Sequence, residues 1–129
     1  KGAPEVDILV YDVERRRATT LQVKTVRQEG IHLGFKATKD NIDKVLNEKV
    51  SNPYVIVYIP NDDWSKAEFY VVPPNDIREL AKRMYFGWLD KIPHKKPREE
   101  LEKTPQPLTI SVRDLKHYKD EWDNIWRVK

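Results

Sequence analysis

The chain opens with a compact apolar run, Val6 to Tyr11, interrupted only by Asp7. Its β-branched residues predict a strand. The polar stretch Asp12 to Arg17 reads as a hairpin turn. Ala18 to Arg27, with Thr19, Thr20, Leu21, Val23, Thr25 and Val26, reads as the partner strand. Gly30 and Gly34 bracket Ile31, His32 and Leu33, which predicts a short strand or a loop. The period then changes. Ile42, Val45, Leu46 and Val50 repeat at helical spacing, with Lys49 on the same stripe. Tyr54 to Ile59 is the most apolar run and predicts a buried central strand. A turn over Pro60 to Lys66 leads to another strand, Glu68 to Val72, hairpin-paired with its predecessor.

A second helical pattern follows, carried by Ile77, Leu80, Ala81, Met84, Tyr85, Trp88, Leu89 and Ile92. Asp76 and Glu79 stand at capping-box spacing at its start. The basic, Pro-punctuated stretch Ile92 to Pro107 reads as an exposed loop, and Thr109 to Val112 as a short edge strand. Leu115, Tyr118, Trp122 and Ile125 predict a closing helix, with Ser111 and Asp114 near its N-terminus. The predicted order, β-β-(β)-α-β-β-α-β-α, has no internal repeat and describes one α/β domain with a largely antiparallel or mixed sheet flanked by helices.

Composition narrows the function classes. At 129 residues the chain is the size of one domain, able to bury roughly 65–70% of its unfolded surface. No apolar run approaches the ~18–20 residues of a spanning helix, so no membrane partner is expected. The absence of cysteine excludes disulfide scaffolds, thiol nucleophiles and cysteine-based zinc sites, and fits a reducing compartment such as the cytoplasm. A net charge of +3 permits a nucleic-acid partner without demanding one. The chain begins with Lys1 rather than Met, from which an absent N-terminal piece is expected.

One constellation carries chemistry. Asp7 lies inside an apolar strand, and Gln22 and Lys24 lie two apart inside the next. Period-two geometry puts Gln22 and Lys24 on one face, their α-carbons ~6.6 Å apart, and pairing of the strands can bring Asp7 to the same face at ~5 Å. An acid, an amide carbonyl and an ammonium on one patch suit metal-assisted hydrolysis. Mg²⁺ (or Mn²⁺) takes oxygen ligands and keeps several waters. Asp7 supplies the charged ligand, Gln22 its side-chain carbonyl and Val23 a backbone carbonyl. Lys24 positions or polarises the attacking water and offsets phosphate charge.

Asp7, followed after a hairpin by Gln22-Val23-Lys24, resembles the PD-(D/E)xK nuclease superfamily, with its restriction-endonuclease-like fold. Pro4-Glu5-Val6-Asp7 stands where that family has its Pro-Asp motif, with the proline displaced, and Gln22-Val23-Lys24 stands where it has (Asp/Glu)-x-Lys. Gln replaces the acid in some branches. The runs Asp7 to Val10, Leu21 to Thr25 and Phe69 to Pro73, and the tail Asp114 to Asp123, are similar to a group of small prokaryotic members, so the likeness extends over nearly the whole chain. The resemblance implies a Mg²⁺- or Mn²⁺-dependent endonuclease acting on DNA, with Asp7, Gln22 and Lys24 as the site, and makes a homodimer a partner to test. The family usually adds a Glu from a helix preceding the Asp strand, and this chain starts too late to contain it. Gln22 gives up one charge of the ligand set, so metal binding is expected to be weaker than with Glu.

Other features have plainer readings. Arg15, Arg16 and Arg17 can contact phosphate, although a solvated turn is the favoured reading, and Thr25 can orient substrate, although a strand threonine needs no function. His94 to Arg98 is diluted by the acids that follow. His32, His94 and His117 lack metal-ligand spacing. Trp88 is expected in the core, Trp122 and Trp126 pin the terminal helix, and Trp64 stands alone in a polar turn. Two rival functions remain. One is a degenerate nuclease fold that binds nucleic acid or a protein partner. The other is a metal-free interaction protein in which Asp7 and Lys24 simply pair across the hairpin.

Overall fold

The computed structural model describes residues 5–91 and 93–127; Pro4 of the sequence motif and Ile92 of the helical stripe lie outside them. Strands β1 (Glu5–Asp12) and β2 (Arg17–Val26) form the expected antiparallel hairpin. Its turn is closed by Asp12, which accepts from the Arg15 backbone N–H and from the Arg17 guanidinium, both at 3.3 Å. The Arg15 N–H, with help from Arg17, holds the Asp12 carboxyl below its ordinary range.

The chain continues through β3 (Gly30–Ala37), α1 (Ile42–Lys49), β4 (Tyr54–Tyr58), β5 (Glu68–Val72), α2 (Pro74–Asp90), α3 (Arg98–Lys103) and β6 (Gln106–Ser111). Four strands make a mixed sheet in the order β1-β2-β4-β5, and β3 pairs with β6 in a separate two-stranded sheet. Strands β2 and β4 are parallel, so the chain needs a long crossover between them, and β3 and α1 occupy it. The architecture is a mixed α/β fold.

Period-two alternation splits the main sheet into two faces. Val26, Tyr54, Ile56, Tyr70 and Val72 point into the larger core, where α1, α2 and the β3–β6 pair supply Ile42, Leu46, Ile77, Leu80, Ile31 and Leu108. Leu21, Val55, Val57, Ile59 and Val71 form a smaller core on the opposite face. Two 3-10 turns, Val112–Tyr118 and Trp122–Trp126, end the described chain. The second leans on the smaller core through Ile125 and through buried Asn124, whose Nδ2 donates to the Val71 carbonyl at 2.9 Å.

One local expectation is extended and three are corrected. The segment bracketed by Gly30 and Gly34 is a full strand, which buries Ile31, Leu33 and Ala37. The loop over Ile92 to Pro107 contains α3, a helix whose single buried apolar residue, Leu101, leaves no periodic pattern to read. The closing helix is two 3-10 turns, separated where Asp120 adopts a positive φ of 56° and Lys119 bridges to Tyr70 on β5. The capping box on α2 does not form. The helix begins at Pro74, pre-set for a first helical position, and Asp76 instead accepts from the Tyr118 hydroxyl at 2.7 Å. Ser111, by contrast, does cap the turn that follows it, accepting from the Arg113 N–H.

Candidate functional site

The hairpin register makes Asp7 and Gln22 cross-strand partners, and the parallel pairing places Tyr54 on the other side of Gln22. One row across the sheet therefore reads Asp7, Gln22, Tyr54, Val72; the next reads Glu5, Lys24, Ile56, Tyr70. Asp7 is exposed, Gln22 half-buried and Lys24 buried, with 2% of its surface accessible. The gradient has a simple cause. Strand β1 is the sheet's edge and extends past the helices that cover the larger core, which leaves Leu9 72% and Tyr11 57% exposed beside Asp7. Lys24 lies one strand further in, under that cover. The three residues of the sequence pattern thus share a face that passes from solvent to core within two strands.

A cavity of about 240 Å³ opens at Gln22 and is lined by Leu33, Gly34, Phe35, Lys49 and Tyr54. Strand β3 reaches it through an irregularity between His32 and Lys36, where Gly34 adopts φ +94°, a conformation that L side chains rarely take. Lys49, at the last turn of α1, also lines the cavity beside Gln22. Sequence reading did not single these residues out for function, yet two signals were present: a glycine inside an apolar strand, and a lysine on the apolar stripe of a helix.

The remaining candidates lie elsewhere. Val23, the candidate through its backbone carbonyl, sits opposite Val6 between Gln22 and Lys24; Thr25 sits opposite Val57, and alternation turns its side chain to the sheet face away from Gln22 and Lys24. Arg15, Arg16 and Arg17 are at the hairpin tip, five residues along β1 from Asp7, a span of about 17 Å. Arg17 is committed there: besides its pair with Asp12, its guanidinium lies 4.0 Å from the centre of the Trp126 ring. His94 bonds the Trp88 carbonyl at 2.8 Å, whereas His32 and His117 are exposed.

As a donor set for a metal, the Asp7–Gln22 pair offers one carboxylate and one amide carbonyl. Among the described residues no group of three or more His, Cys, Asp or Glu side chains is placed to hold an ion. The pair fits a hard divalent cation that keeps most of its water, and does not fit a tightly caged one.

No helix among the described residues is long and apolar enough to cross a membrane. No protein-family model, no curated protein and no solved structure matches the chain.

Proposed function

We propose that this chain is a metal-dependent phosphodiesterase of the restriction-endonuclease-like fold, an endonuclease acting on DNA. The observation that carries the reading is the cross-strand pairing of Asp7 with Gln22, with Lys24 two residues along the same face. The Asp7 carboxylate and the Gln22 carbonyl would hold Mg²⁺ or Mn²⁺. Bound there, such an ion would supply Lewis acidity for phosphodiester hydrolysis. Lys24 presents positive charge from the covered end of the face, where charge stabilisation is strongest. Lys49, a second basic residue, lines the cavity beside Gln22.

Calorimetric titration with Mn²⁺ tests the reading, run beside Asp7→Ala and paired with cleavage of supercoiled plasmid. Saturable binding and nicking in the parent, both absent in Asp7→Ala, are expected. Cleavage by Asp7→Ala as fast as by the parent overturns the assignment.

A second reading, a nuclease fold that binds without cutting, rests on the lone Asp7 carboxylate in this donor set. It predicts DNA binding that weakens steeply with salt, with no metal requirement and no product.

A further inference from the structure

A cavity of about 440 Å³ has no part in the proposed site. It lies between α2 and β6, lined by Arg83, Met84, Gly87, Trp88 and Lys91 from the helix side and by Gln106 to Thr109 from the strand. Four consecutive residues of β6 line it and no residue of β3 does, so the cavity follows the outer edge of β6 rather than a face of the sheet. The Val112 N–H donates to the Glu29 carbonyl at 2.8 Å on the β3 side. Alternation therefore turns the peptide groups of Thr109 and Pro107 outward, toward the cavity. No strand among the described residues pairs with that edge. Pro107 fits there, because an edge strand can spare its N–H.

The helix wall has a matching period. Arg83, Gly87 and Lys91 follow one another at intervals of four residues, about 6 Å apart along the axis. Alternate residues of an extended chain repeat at about 6.6 Å. The same-face side chains of a strand added to β6 thus repeat at nearly the interval of Arg83, Gly87 and Lys91 on the helix wall. The ends of that row are cations. Its middle lacks a side chain: a Cβ at Gly87 would meet nothing within 4 Å. Met84 and Trp88 supply apolar wall.

We propose that this groove binds an extended peptide of the pattern acidic–x–apolar–x–acidic, added as a strand to the outer edge of β6. The acidic residues meet Arg83 and Lys91, and the apolar residue fills the space over Gly87. Main-chain hydrogen bonds to Thr109 supply affinity, and the alternate side chains supply selectivity. Charge complementarity and the register match favour this occupant.

The test is fluorescence anisotropy of the whole chain with a labelled heptapeptide carrying Asp at its second position, Leu at its fourth and Glu at its sixth. Saturable binding is expected. Gly87→Leu fills the groove and should weaken binding about tenfold or more. Because leucine is the better helix former, this variant should melt no lower than the parent, which separates a filled groove from a lost fold. Arg83→Glu with Lys91→Glu should abolish binding of the acidic peptide and permit binding of one with Lys at both ends. Failure of the parent to saturate below about 1 mM, or unchanged affinity in Gly87→Leu, overturns the proposal. A dimer that sedimentation detects and Gly87→Leu dissolves, with no peptide binding, assigns the groove to a second copy of the chain and likewise overturns it.

Discussion

Asp7 and Gln22 face each other across the β1–β2 ladder, one in solvent at the sheet's edge and the other half-buried beneath the fold's cover. The pairing follows from the length of the hairpin: a turn closed by Asp12 and Arg17 fixes the register five residues away. A one-residue slip would send Gln22 and Lys24 to the opposite face and bring Leu21 and Val23 beside Asp7. The buried apolar set of β2 opposes such a slip. Local turn chemistry and core burial therefore act together to keep the acid, the amide and the ammonium on one face.

Lys24 is among the largest fully buried side chains, so its replacement tests packing as well as charge. Lys24→Ala should cost about 2–4 kcal/mol, much of it from the cavity left behind. Lys24→Met keeps most of the volume and should lose less stability while removing the ammonium. Under the proposed function, Lys24→Met still binds Mn²⁺ and no longer cleaves. Urea denaturation measures the first pair of effects, and calorimetry with a plasmid assay the second. In the ladder Gln22 lies directly opposite Asp7, and Lys24 lies diagonally from it.

Two phenols donate to carboxylates, one tying the last part of the chain to α2 and the other lying within β5. The Tyr118 hydroxyl donates to Asp76 and that of Tyr70 to Glu68, at 2.7 and 2.6 Å. Burial first, and the neighbouring carboxylate second, push Tyr118 up to about 12 and Tyr70 higher still. A raised folded-state pKa means that the folded chain holds the proton more tightly than the unfolded one. This contribution is complete below the ordinary tyrosine value near 10 and is lost as pH rises toward 12 and beyond. Thermal melts should therefore fall across that window. Tyr118→Phe and Tyr70→Phe should each lower stability at pH 7 and flatten the alkaline decline.

The sequence pattern was most legible where burial and period coincide. Tyr54–Tyr58, Glu68–Val72 and the hairpin strands all fall where alternation or continuous apolarity placed them, and α2 follows its stripe from Ile77 to Leu89. The misses share a cause, which is that tertiary contact decided them. Asp76 could cap its own helix, but Tyr118 arrives from 42 residues away and takes its carboxylate. The terminal repeat Leu115, Tyr118, Trp122, Ile125 looks helical, but the Tyr70–Lys119 bridge and the positive φ of Asp120 break it into two turns. The residue types of the candidate site were readable because a strand-embedded acid and a Gln-x-Lys are chemically conspicuous. Its depth was not. Period two sets which face Lys24 occupies, but how far the helices extend over that face depends on the crossover between β2 and β4.

Among the described residues, two buried hydroxyls have no hydrogen-bond partner: Thr19 Oγ1 on β2 and Tyr85 OH on α2. A polar group buried without a partner loses its bonds to water and gains none in exchange. Tyr85→Phe and Thr19→Val remove the hydroxyl with little change of shape. Both should therefore be neutral or stabilising, by up to about 1 kcal/mol, which chemical denaturation resolves. A loss above about 1 kcal/mol in either variant would show that the hydroxyl does have a partner in solution, an ordered water being the first to seek.

Gln22→Glu places a second carboxylate opposite Asp7, at a cross-strand separation of about 5 Å. Without metal, the like charges repel across the ladder and the half-buried newcomer is poorly hydrated, so the variant should melt below the parent. With a divalent ion the sign reverses. Two carboxylates share one hard cation, and affinity should rise about tenfold, or roughly 1.4 kcal/mol, above the Asp7–Gln22 pair. Because the ion binds the folded state, that gain appears as a larger rise in melting temperature on adding Mn²⁺. The crossing pattern distinguishes a metal face from an ordinary polar one. A variant that is destabilised equally with and without Mn²⁺ would mean that no ion sits between β1 and β2.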